Sequence, residues 1–316
     1  MDRIYFEYSK YLKNKYGCKV YRLPVNIPVT CPNRDGLLGT GGCIFCGDVG
    51  AGFEMHDSSM SVRSQLDKNK EYIGKKYKAE KFIAYFQNYT NTYLSVEELK
   101  ENIEEALIED LAGISISTRP DCISEEQLKM LSEVRDREGI DIEIELGLQT
   151  CNYKTLKKIN RGHTLAEFID AVLMIKKYGF EVCAHIILNL PWDDMEDVIE
   201  NAKILSALKI KFVKVHSLYI LKNTILGEMY KNDEIKMIEK DEYLERLEAF
   251  LLYLSPDIVV QRLFGRAPKD ETLFSNWGTS WRKLKDEFIL KMKVDNSYQG
   301  KLCNYLGGRA LNMKKI

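Results

Sequence analysis

Residues 111–150 read LAGISISTRPDCISEEQLKMLSEVRDREGIDIEIELGLQT. The first eight form a short apolar run that predicts a buried strand. SEEQLKMLSEVRDREG (124–139) then carries apolar residues at helical spacing, opened by Ser124 and closed by Gly139. DIEIELGLQT (141–150) returns to a strand. Strand, helix, strand within about forty residues is a βαβ unit, and such units are right-handed and join parallel strands.

The same alternation extends to both sides. KFIAYFQ (81–87) reads as a buried strand. SVEELKENIEEALIED (95–110) follows as a helix whose Ser95 and Glu98 form a capping box. Downstream come helices over NYKTLKKIN and TLAEFIDAVLMIKKYG, a strand over 180–191, a helix over 193–209 and a strand over 211–221. Beyond residue 222 the pattern loosens into a helix (YLERLEAFLLYLS), a strand (DIVVQRLFG) and a last helix (GTSWRKLKDEFILKMK). About six strands alternating with helices predict an α/β fold with a parallel sheet, either an open doubly wound sheet or a partial barrel. In both, ligands bind at the carboxyl ends of the strands. The polar residues expected there are Gln87, Asn88, Thr118, Arg119, Gln149, Asn189 and Tyr219.

Composition sets outer limits. The 316 residues are 45% hydrophobic and 29% charged, with a formal net charge of −1, which suits a globular chain and not a general polyanion binder. Basic side chains gather at the ends: six against two acidic in residues 1–24, and nine against three in residues 275–316. If both ends fold to one side they form a basic rim suited to RNA. No apolar run approaches the roughly 18 residues of a membrane span, and MDRIYFEYSK lacks the apolar core of a secretory leader. The expected location is the cytoplasm, without membrane association, where the eight cysteines stay reduced.

Three of those cysteines fall in CPNRDGLLGTGGCIFCGDVGAG (31–52), spaced C-x11-C-x2-C as Cys31, Cys43 and Cys46 among seven glycines. A C-x2-C pair delivers two thiolates from one tight turn, and a glycine-rich loop folds the third back. Zinc would require a fourth ligand to close the site, for which His56 is the candidate. An iron–sulfur cubane would leave one iron open to another molecule. Spacing alone leaves both open. The remaining cysteines, including Cys183 inside a strand, read as small buried apolar side chains.

The loop resembles that of radical S-adenosylmethionine (radical SAM) enzymes, in which an aromatic residue precedes the last cysteine of the triad, as Phe45 does here. The wide first spacing is similar to the elongator-type subgroup. ISTRPD (116–121), ELGLQT (145–150), INRGH (159–163) and HIILNLP (185–191) also match that subgroup. With FQNYTNTY (86–93), QRLFGRAP (261–268) and SYQGKLC (297–303), the whole chain looks like a bacterial radical SAM family of about this length. No acetyltransferase domain like that of the elongator catalytic subunit is expected.

The resemblance implies a partial (β/α)6 TIM-type barrel at 20–222, an N-terminal helical extension at 1–19 and a C-terminal α/β extension at 223–316. It implies a 4Fe-4S cluster on Cys31, Cys43 and Cys46, with the fourth iron chelated by S-adenosylmethionine. One electron from a donor such as flavodoxin or ferredoxin then cleaves the sulfonium, and the 5′-deoxyadenosyl radical takes hydrogen from a substrate. Gln149 corresponds to a ribose ligand and Arg161 to the partner of the SAM carboxylate. His185 stands where a related family has a ribose-binding aspartate, and Ser117 where it has a glutamate on the SAM amine. The usual Gly-Gly-Glu stretch is replaced by FQNYTNT, which makes Gln87 a candidate for the amine. Arg119 faces cofactor or substrate, and Asn189 and Tyr219 shape the pocket. Elongator-type relatives make tRNA or another RNA the expected substrate, with a porphyrin-like molecule as a second candidate. A zinc-stabilised RNA-binding protein is the alternative outside redox chemistry.

Overall fold

The computed structural model describes residues 4–47, 55–268 and 270–312. Its strands are β1 (Val20–Val25), β2 (Lys81–Phe86), β3 (Leu111–Thr118), β4 (Asp141–Gln149), β5 (Glu181–Ile187), β6 (Phe212–His216), β7 (Ile220–Leu221), β8 (Val259–Arg262) and β9 (Thr272–Phe274). The helices are α1 (Tyr8–Tyr16), α2 (Val62–Tyr77), α3 (Val96–Glu105), α4 (Glu125–Glu138), α5 (Tyr153–Lys158), α6 (Leu165–Lys177), α7 (Met195–Ala207), α8 (Ile225–Lys231), α9 (Lys240–Tyr253), α10 (Trp281–Val294) and α11 (Arg309–Asn312).

The main sheet has seven strands in the order β1-β2-β3-β4-β5-β6-β8. A doubly wound sheet reverses its strand order at a switch point. This order never reverses, so of the two architectures open to the sequence the chain adopts the barrel type. The chain divides into two compact units. One holds Ser9–Leu148 and Leu156–Ala184; the other holds the chain up to Tyr8, Gln149–Thr155 and everything from His185 on.

In the first unit β1, β2, β3 and β4 pair in parallel, from Val20 against Lys81 to Thr118 against Leu146, with one register shift between Phe82 and Ile83 where β2 meets β3. One set of alternate residues is apolar: Leu23, Ala84, Phe86, Ile114, Ile116, Ile142 and Ile144 are all buried. The other set is polar and also largely buried, with Arg22, Tyr85, Ser115, Ser117, Glu143 and Glu145. Glu145 accepts from Tyr85 Oη (2.8 Å) and Ser117 Oγ (3.1 Å) and pairs with Arg22, which also meets Glu143 at 2.8 Å. The alternation in DIEIEL therefore separates an apolar face from a charged one. Burial, followed by the charge of Glu145, pushes the Tyr85 hydroxyl well above its ordinary pKa. The connecting helices start where the sequence places their caps. Ser95, Ser124 and Thr164 each close a capping box.

In the second unit β6 pairs with β8 in parallel and β7 with β9 antiparallel. The strand expected over 211–221 is two strands. Ser217 and Asn189 break it: Asn189 Oδ1 takes the Leu218 N–H (2.7 Å) and Ser217 Oγ takes the Gly265 N–H (2.8 Å), so side chains replace the ladder. The chain ends meet here. Val260 N–H donates to Phe6 O (2.7 Å), and Gln299 bonds Phe6 N, Ser255 O and Ile258 O at 2.7–2.8 Å. α9 and α10 bury Leu247, Phe250, Leu251, Phe288 and Met292.

Besides the short α8, β9 and α11, two elements have no counterpart in the sequence pattern. β1 contains Pro24, which argues against a central strand; β1 is the sheet's edge, where proline is tolerated. α2 is lysine-rich with few apolar residues and buries only Val62, Gln65 and Leu66. Among the described residues no helix is long and apolar enough to cross a membrane.

Candidate functional site

The cysteine loop begins just past β1 and is tied by its own backbone. Arg34 N–H bonds Cys31 O (2.7 Å), Leu38 N–H bonds Pro32 O (2.8 Å), and Asp35 bridges Thr40, so residues 31–40 double back. Gly42 N–H then bonds Asn33 O (2.8 Å), and Cys46 N–H bonds Cys43 O (2.9 Å) in a tight turn across the C-x2-C. Gly41 and Gly42 take φ of +77° and +83°, a conformation open to glycine at little cost. Cys31 and Cys43 are buried; Cys46 and Phe45 are half-buried.

The INRGH stretch after α5 clamps this loop. Ile44 N–H bonds Ile159 O (3.1 Å), and Asn160 Nδ2 bonds Gly42 O (2.9 Å). Asn33 is fully buried and spends its amide on Asn160 O (2.6 Å) and Arg161 O (3.0 Å), with Cys43 Sγ at 3.8 Å. Gly162, at φ +77°, leaves room for this. A Cβ there would lie 2.4 Å from Asn33 Oδ1 and 3.1 Å from Arg119 Nη2.

An arginine attends each thiol. Arg161 donates through Nη2 to Gly147 O (2.9 Å), and its Nη1 lies 3.6 Å from Cys43 Sγ. Arg119, 2% exposed, is held by Asp121 through Nε (2.8 Å) and Nη2 (2.6 Å). Its Nη1 bonds Arg161 O (2.8 Å) and lies 3.9 Å from Cys31 Sγ. Arg34 donates to Cys46 O (2.9 Å) and Gly47 O (2.7 Å) and counteracts the rise of the Cys46 thiol pKa, which burial and then neighbouring Cys43 cause. His163 faces two carbonyls, Gly147 O (3.0 Å) and Thr164 O (3.2 Å). Burial and the Arg161 charge lower its pKa to about 3.

Of the residues singled out in the sequence, the fold brings Cys31, Phe45, Cys43, Cys46, Arg119 and Arg161 into this one loop cluster. Ser117 lies on the polar face of β3, bonded to Tyr85 and Glu145. Gln87 ends β2 and bonds Val25 O through its N–H (3.3 Å). Gln149 ends β4 at φ +74°, a strained value for a residue with a side chain. Gln149 and His185 both belong to the second unit, where the His185 ring lies 5.1 Å from that of His216. Asn33, Arg34, Asp121, Asn160 and His163 were not singled out. Asn33 and Arg34 stood inside the cysteine spacing and Asp121 inside TRPD, but short spacing does not reveal which backbone groups such residues hold.

The sequence matches the Radical SAM superfamily over residues 25–205 and the Radical SAM C-terminal domain over residues 210–292. The chain belongs to the radical SAM superfamily. Among its relatives are the uncharacterized protein MJ0486 of Methanocaldococcus jannaschii, 35% identical over 95% of this chain and 94% of that one, and the uncharacterized protein YtqA of Bacillus subtilis, 32% identical over 95% and 93%. The archaeal Methanocaldococcus infernus Elp3 shares the fold at 18% identity, with a TM-score of 0.67 over 89% of this chain and 64% of its own. That likeness agrees with the partial barrel expected from the sequence.

Radical SAM proteins are enzymes whose cofactors are a 4Fe-4S cluster and S-adenosylmethionine. The donors here suit such a cluster. Three thiols converge and arginines stand beside them, and thiolates are the ligands of iron–sulfur clusters.

Proposed function

We propose that Cys31, Cys43 and Cys46 hold three irons of the cluster and that the chain abstracts hydrogen from an RNA substrate. The observation that carries the cluster assignment is the loop itself. Three thiols stand in one loop whose backbone is clamped by INRGH, with arginines beside them. When bound, the cluster and SAM supply the radical chemistry; the chain binds, orients and shields them. A flavodoxin- or ferredoxin-like donor supplies the electron.

Arg161 is assigned to the SAM carboxylate, a task suited to a guanidinium fork. Its Nη1 lies 3.6 Å from Cys43 Sγ, next to where the cluster and SAM would sit. Gln149 is assigned to the ribose, and its strained backbone at the end of β4 supports a functional demand there. Gln87 and Ser117 are assigned to the amine side and His185 to the ribose side. Phe45 packs within the cysteine turn. Residues 20–222 are taken as the catalytic core.

Two observations favour RNA. A tRNA uridine(34) acetyltransferase of Methanocaldococcus jannaschii is 28% identical over 48% of this chain and 27% of its own. Both ends of the chain are basic. The test is anaerobic. Reconstituted protein with dithionite and SAM is expected to form 5′-deoxyadenosine, and to bind tRNA with an affinity that falls steeply as salt rises. Zinc at one equivalent without sulfide would overturn the cluster assignment; absence of tRNA binding at low salt would overturn the substrate class.

A further inference from the structure

We infer that Arg119 is a positioning residue that sets the reduction potential of the cluster through Cys31, with Asp121 as its counterweight. This rests on the cluster assignment made above. Arg119 is among the largest fully buried side chains, and a buried guanidinium is costly unless its donors are used. Two are fixed on the Asp121 carboxylate in a fork, at 2.8 and 2.6 Å. That fork leaves Nη1 aimed at Arg161 O (2.8 Å) and Cys31 Sγ (3.9 Å). Gly162 lies close beside this fork: a Cβ added there would stand 3.1 Å from Nη2.

Arg119 thus presents a fixed positive charge to one particular sulfur. Reduction adds one electron and no proton, so the reduced state is more negative by one charge. A cation held at a ligating sulfur, out of water, favours that state, since hydrogen bonds and net charge around the sulfurs tune such potentials. Asp121 opposes this. Its carboxylate locks the guanidinium in place and cancels part of its field. The pair therefore makes an adjustable potential: one group raises it and the other holds it down. In practice the cluster accepts its electron from a milder donor.

The test is a redox titration of the reconstituted full-length protein, followed by electron paramagnetic resonance without SAM, with iron and sulfide counted beforehand. Arg119→Gln is expected to lower the potential by about 59 mV or more, which is a tenfold change in the reduced-to-oxidised ratio for one electron. Arg119→Lys, which keeps the charge, is expected to restore at least half of that shift. Asp121→Asn is expected to move the potential upward. A merely structural role predicts no opposite shifts. If Arg119→Gln binds a full cluster at the unaltered potential, the inference is overturned while the cluster assignment stands. If Arg119→Gln cannot hold a cluster, Asp121→Asn decides, and an unchanged or lowered potential overturns the inference. If the unaltered protein binds no iron, the failure lies with the cluster assignment.

Discussion

The two units spend buried polarity differently. In the unit with the cysteine loop, some buried polar side chains, such as Asn91 and Gln127, hold local carbonyls, but three point at a site. Asn33, Arg119 and Arg161 each reach a thiol as well as a backbone carbonyl. In the unit with the C-terminal half, most of them close the chain on itself. Gln299 ties three backbone groups, Tyr243 Oη donates to Leu263 O (3.1 Å), and Asn276 Nδ2 donates to Gly265 O (3.0 Å). Such bonds matter because a buried backbone group left unmade costs far more than an average hydrogen bond yields. The difference teaches that loss of a polar group should cost chemistry in the first unit and stability in the second.

The strongest attempt to break that contrast is Cys43→Ala. It is expected to abolish 5′-deoxyadenosine formation and to cut bound iron and sulfide, while circular dichroism and the melting midpoint stay near those of the unaltered apoprotein. A large loss of stability would blur the two units into one. In the second unit, Gln299→Ala strips partners from Phe6 N, Ser255 O and Ile258 O. At about 1–3 kcal/mol per orphaned group, the expected loss is roughly 3–5 kcal/mol by denaturant unfolding. Cluster content per folded molecule should not change, and a selective loss of iron would contradict the division.

Asp193 sharpens the contrast, because it is a buried carboxyl in the second unit with only the Thr150 and Thr155 hydroxyls to favour its charged form over the effect of burial. Burial pushes its pKa up from 3.8 to about 6, against the pull of Thr150 and Thr155. Between those values the folded protein holds the proton that the unfolded chain releases. The stabilising share is therefore complete below about pH 4 and is lost as pH rises through about 6. Asp193→Asn removes that dependence. Its stability relative to the unaltered protein should climb with pH and level off above about pH 7, by up to about 3 kcal/mol for roughly two pKa units. A difference that stays flat across pH would remove this reading.

Gly162→Ala is the smallest change. Its Cβ would meet Asn33 Oδ1 at 2.4 Å from a backbone at φ +77°. The expected cost is about 1–3 kcal/mol, together with incomplete cluster loading. Full loading would mean that the clamp on the cysteine loop tolerates displacement.

Much of this was legible beforehand, for local reasons. The strands at 81–86, 111–118 and 141–149, the capping box at Ser95 and the helix start at Ser124 announce themselves through periodicity and short-range side-chain bonds. The elements that escaped are those where context overrides pattern. β1 survives its proline because only one neighbour pairs with it. The split after β6 depends on Asn189, 29 residues away from the N–H it takes. Glu143 and Glu145 were visible as an alternation, but not as acceptors for Arg22, more than a hundred residues earlier.

The sequence by itself determined the alternation of strands and helices, the reduced cysteine triad and the family that carries it, because each is written in residues close together along the chain. Only the tertiary structure decided which arginine faces which sulfur. Arg119 reaches Cys31 across 88 positions and Arg161 reaches Cys43 across 118. Contacts of that span are set by strand order, register and the closing of loops, and no local spacing encodes them.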